Sequence, residues 1–144
     1  MSNTWIVVAD ACRARFFTAD KPGGPLLEIE TLSNPQARLH EADLVSDKNG
    51  RGSNRVGSSH GFGTANSAKD ETANRFASEV CAHLEQGRLR KAFGKLYVFG
   101  APAFLGMMRK HQSAGVRNLI TGEIAKDVTT QTPERIRAQL PEFL

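Results

Sequence analysis

An α/β fold, a mixed sheet with helices on its faces, is what this sequence predicts, and three observations predict it. Thr4 to Ala9 and Lys95 to Ala101 are continuous apolar runs of the kind carried by strands covered on both faces. Two alternating segments, Cys12 to Thr18 and Leu26 to Leu32, follow the first run through short turns and complete a three-stranded meander. Ala73, Phe76, Ala77, Val80, Cys81 and Leu84 then fall at helical spacing and make one apolar stripe on a long helix. The expected order is βββ, long loop, αβαβα, in a single domain over residues 1–144.

Each element has a local reason. Asp10 and Ala11 make the tight connection after the first strand, and Arg13 and Arg15 share one side of the second, opposite Cys12, Ala14 and Phe16. The turn Lys21-Pro22-Gly23-Gly24-Pro25 separates the second strand from the third, where Leu27, Ile29 and Thr31 oppose Glu28 and Glu30. Ser67 is suited to cap the long helix, with Asp70 and Glu71 near its positive end. Gly87 weakens the far end, where Arg88, Arg90 and Lys91 suit the negative terminus. Pro102 opens a helix that turns Phe104, Leu105 and Met108 inward through about His111. Arg117 to Ile124 reads as a shorter, more polar strand near a sheet edge, and Thr132-Pro133-Glu134 starts a last helix that packs Ile136 and Leu140.

The loop expected at about 34–66 is the chain's least regular part. Between Asp47 and Gly63 it holds five glycines among serines and asparagines, a composition that builds no core. Its cations, Lys48, Arg51 and Arg55, and its freely placed backbone N–H groups suit an anionic partner such as phosphate. His60 lies beside Ser58 and Ser59, and Phe62 is an isolated aromatic able to stack on a base or to anchor the loop.

The totals bound the function classes. A chain of 144 residues, 40% hydrophobic and 24% charged, supports one core. A formal charge of +4 permits an RNA or acidic partner without marking a dedicated nucleic-acid protein. Cys12 and Cys81 lack a C-x-x-C neighbour and are expected as buried free thiols. No leader pattern opens the sequence, and no apolar stretch approaches the roughly 18 residues of a membrane span, so a cytoplasmic protein without membrane contact is expected.

Five segments carry a family resemblance: WIVVADACRARFF at 5–17, DLVSDKNGR at 43–51, FASEVCAHL at 76–84, LYVFGAPAFLGMMR at 96–109 and EIAKDVTTQTPERIRAQL at 123–140. Together they resemble the bacterial host-attachment protein family, which is described as required for attachment to host cells. That family in turn is similar to the middle domain of archaeal and eukaryotic peptide-chain release factors. The resemblance implies a ribonuclease H-like sheet and a glycine-rich loop that enters the ribosome. The release-factor loop carries Gly-Gly-Gln, which this chain lacks; Gly23-Gly24 lies in a hairpin turn and Gln36 far from it. Peptide release by that chemistry is therefore not expected.

A nuclease would need several carboxylates converging on paired metal ions, and around Asp10 the residues Asp43, Asp47, Asp70 and Glu71 show no spacing that enforces it. Asp10 is better suited to shaping the hairpin through its own backbone or to pairing with Arg13 or Arg15. His40, His60, His83 and His111 lack partners at metal-ligand spacing, and the turn at Gly50-Arg51-Gly52 lacks the phosphate-loop pattern. The expectation is thus a non-enzymatic binding protein without metal or cofactor. It would contact RNA or the ribosome through Lys48, Arg51, Arg55, His60 and Phe62, with Asp10, Arg13, Arg15 and Asp47 as structural support. The alternative is an interaction factor serving host-attachment machinery, and the third reading is a metal-dependent nuclease or peptidyl-tRNA hydrolase.

Overall fold

A computed structural model describes residues 3–21, 23–37 and 54–142, with the side chains of 54–69 not among those described. Strands β1 (Thr4–Ala9), β2 (Arg13–Ala19) and β3 (Leu27–Ser33) form the expected meander. A helical turn at 35–37 follows. Helix α1 (Asn54–Leu89), strand β4 (Lys95–Gly100), helices α2 (Pro102–His111) and α3 (Ala114–Leu119), strand β5 (Ile120–Ile124) and helix α4 (Pro133–Ala138) complete the order.

The five strands make one mixed sheet in the order β3-β2-β1-β4-β5. β1 sits at its centre, antiparallel to β2 and parallel to β4, and all six of its residues are buried. Its alternating side chains feed two cores. Trp5, Val7 and Ala9 face α1, α2 and α3, packing with Phe16, Phe76, Leu84, Leu105 and Met108. Ile6 and Val8 face the other way, where Phe17, Tyr97, Phe99, Val128, Ile136 and Leu140 close a smaller core under the C-terminal segment. The apolar stripe of the long helix and the inward set of α2 are buried as the periodicity requires.

Three expectations need correction. The long helix begins at Asn54 rather than at Ser67, so residues 54–66 are helical and not loop. Once nucleated by the packed stripe, a helix adds residues cooperatively, and each glycine costs only about 1 kcal/mol. Residues 117–119, expected to start a strand, belong to the helix Ala114–Leu119, because Ser113 Oγ accepts the Val116 N–H and caps α3. β3 alternates in sequence but not in burial: nearly every residue is exposed, including Leu27 and Ile29. Cys81 is buried and Cys12 only partly so, both as free thiols.

The end of α1 is shaped by close packing. A Cβ on Gly87 would lie 2.8 Å from the Trp5 ring, so glycine here admits the indole rather than merely weakening the helix. Lys91, at φ 61°, takes the left-handed position that closes the helix, with Ala92 N–H donating to Gly87 C=O at 2.9 Å.

Candidate functional site

Of the residues expected to bind a partner, Lys48 and Arg51 lie outside the described residues, as do the side chains of Arg55, His60 and Phe62. Of the supporting set, Asp47 also lies outside the described residues, and Asp10, Arg13 and Arg15 gather around the end of β1 and the start of β2. Asp10 Oδ1 accepts the backbone N–H groups of Cys12 at 2.7 Å and Arg13 at 2.8 Å, which fixes the β1–β2 turn. Asp10 Oδ2 lies 2.9 Å from Thr129 Oγ1, and that hydroxyl is also 2.9 Å from Asp127 Oδ1. With a single proton, Thr129 donates to one carboxylate at a time.

Arg15 points to the same C-terminal segment. Its Nη1 donates to Thr129 C=O at 2.9 Å and Gln131 C=O at 2.7 Å, while Nε and Nη2 grip Glu28. The guanidinium also lies 5.0 Å from the centre of the Phe17 ring. Its hydrogen bond holds the Glu28 carboxyl below the usual carboxylate range. Arg15 therefore fastens the chain end onto the meander, and Asp10 shapes the hairpin. Arg13 Nε is buried without a hydrogen-bond partner among the described residues. Among those residues no three His, Cys, Asp or Glu side chains converge closely enough to hold a metal ion.

His83, which reads in sequence as a helix-face residue, bridges two elements. Its Nε2 is 3.0 Å from Glu30 on β3, and its ring centre is 4.6 Å from that of Phe16. Near the start of α3, Glu85 accepts from Arg88 at 2.9 and 2.7 Å and from Ser113 Oγ at 2.6 Å, which brings its carboxyl down to about 2. Burial drives the Cys81 thiol the other way, up to about 11, so it stays protonated and inert near neutrality.

A concave surface lies elsewhere, between the end of α2, α3 and β5. This cleft of about 540 Å³ is lined by Arg109, Gln112, Arg117, Thr121, Gly122 and Glu123, among others. Arg109 Nε donates to Glu123 Oε1 at 3.1 Å, and its Nη2 meets the same oxygen. Arg117 Nη2 donates to the Arg109 C=O at 2.9 Å and so caps α2. Gln112 is buried, and its Nε2 has no hydrogen-bond partner among the described residues. Sequence reasoning passed over all of these, because Arg117 reads as a strand residue until Ser113 is recognised as a cap. The capping position of Ser113, three residues before Val116, is the signal that would have found them.

The described residues contain no helix long and apolar enough to cross a membrane. A search of curated proteins finds no match to the chain. One family model, described as protein required for attachment to host cells, matches residues 5–140. The match leaves out only a few residues at either end, and the chain belongs to that host-attachment family.

Proposed function

We propose that this chain is an interaction protein that supports attachment to host cells by binding a partner rather than by catalysis, and that it works in the cytoplasm. The family match over residues 5–140 carries the reading. The described side chains add to it. Asp10 is held by backbone N–H groups, Glu28 by Arg15, Glu30 by His83 and Glu85 by Arg88, so each of these acids has a part in holding the fold. The test is to delete the chain from its bacterium, restore it in trans, and count cells attached to host cells. Attachment should fall and recover; unchanged attachment on deletion would end the reading. Fractionation of the same strain should find the chain in the cytoplasm, and recovery at the cell surface would overturn that part.

A second reading is RNA or ribosome contact through Lys48, Arg51, Arg55, His60 and Phe62, supported by the formal charge of +4. The order β3-β2-β1-β4-β5 supports a ribonuclease H-like sheet and, through it, kinship with the release-factor middle domain. Arg51→Ala with Arg55→Ala should then weaken RNA binding and reduce the salt slope by about 2 in a log–log plot.

A further inference from the structure

Resting on the interaction-protein reading, we infer that the cleft beside β5 receives an extended acidic segment of a partner protein. The segment adds as a strand to the outer edge of β5 and places one Asp or Glu carboxylate between Arg117 and Gln112.

The edge itself is open. β5 ends the sheet, and the backbone bond its residues make to a later segment is the local one from Lys126 N–H to Ile124 C=O, so among the described residues no strand occupies its outer side. Such an edge carries unpaired N–H and C=O groups that an extended peptide can satisfy. The register shift between Leu96 and Tyr97 falls where Thr121 is skipped in the pairing with β4, a distortion of the kind that re-aims an edge strand beside a site.

Donors are also left over. Gln112 is 9% exposed, yet its Nε2 is buried without an acceptor, a deficit that a ligand oxygen removes when the amide turns into the cleft. Arg117 uses Nη2 on the Arg109 C=O, and its other N–H groups make no hydrogen bond among the described residues. They stand on the same cleft as Gln112. An amide donor beside a guanidinium suits a carboxylate, whose two oxygens can accept from both.

Charge selects among anions. Arg109, Arg117 and Glu123 leave the lining with one net positive charge, which a single carboxylate neutralises. A phosphate dianion would overshoot it and face Glu123. The cleft's volume, about 540 Å³, suits several peptide residues better than a lone ion.

The experiment titrates three labelled peptides into the full chain: Thr-Val-Asp-Val-Thr blocked at both ends, its Asn counterpart, and the Asp peptide with alternate backbone nitrogens methylated. The Asp peptide should bind about tenfold or more tightly than the Asn peptide, as a charge-assisted bond requires. The methylated peptide, unable to pair as a strand, should not saturate where its parent does. Amide shifts should map to Gln112, Arg117 and residues 120–124. Arg117→Met, at an exposed position, also removes the cap on α2 and should lower the melting temperature by only a few degrees, while losing about tenfold in affinity for the Asp peptide and the preference over Asn. Equal affinity for the Asp and Asn peptides, undiminished binding by the methylated form, or unchanged binding by Arg117→Met overturns the inference. Glutarate tests a free dicarboxylate as the source of the charge: it should bind far more weakly than the Asp peptide, and equal affinity overturns strand addition. In the attachment assay, Arg117→Met should fail to restore a deletion strain. Full restoration by Arg117→Met would remove the cleft alone, whereas normal attachment by the deletion strain would remove the attachment reading itself.

Discussion

The two edges of the sheet meet the same problem, a row of unpaired backbone groups, in different ways. At β3 the exposed Leu27 and Ile29 alternate with glutamates that are both engaged, Glu28 by Arg15 and Glu30 by His83. A register shift between Phe16 and Phe17 distorts that edge further, and bulges and charges are what discourage pairing with a stray strand. At β5 the Arg109–Glu123 pair is more exposed, and beside it Arg117 and Gln112 keep donors in hand. One edge uses its polar groups to hold the fold; the other has some to spare. Spare polar capacity in a concave place is what separates a binding surface from a stabilised one.

That contrast can be broken by measurement. Arg15→Met removes the grip on Glu28 and the donors to Thr129 and Gln131, with the side chain only 15% exposed, and should cost about 2–4 kcal/mol in a denaturant titration. His83→Ala should cost about 1–2 kcal/mol through lost packing on Phe16 and Trp5 and the freed Glu30. Acid should act next. Glu28 and Glu85 have folded-state values below the ordinary carboxylate value, so their stabilisation is present above that value and fades as pH falls toward about 2, the value reached by Glu85. A melting temperature followed from pH 5 downward should decline, and Glu85→Gln should flatten part of that decline. Arg109→Gln should cost least, below about 1 kcal/mol, because exposed ion pairs contribute little. A loss at Arg109 as large as that at Arg15 would mean that the β5 edge is structural too.

Much of the scaffold was legible because its signals are local. The apolar run at β1, the stripe from Ala73 to Leu84, and the Thr132-Pro133 opening of α4 each announce themselves within a dozen residues. Asp10 was legible for the same reason, since its bonds to Cys12 and Arg13 are made two and three residues away. Arg15 was named as support, but its grip on the chain end was not legible, because its carbonyl partners are more than a hundred positions distant. The start of α1 was hidden by glycines whose weak propensity yields to cooperative extension, and α3 by apolar residues that fit a strand equally well. The cleft was invisible for a further reason: an amide left without an acceptor is a property of three-dimensional surroundings, and Gln112 alone announces nothing.

Trp5, the chain's single tryptophan, stacks on Phe93 at 4.7 Å between ring centres and rests where Gly87 gives it room. Its emission therefore watches one junction, the place where the first strand meets the exit of the longest helix. Any ligand that loosens or tightens that seam will announce itself in ultraviolet light, with no label attached.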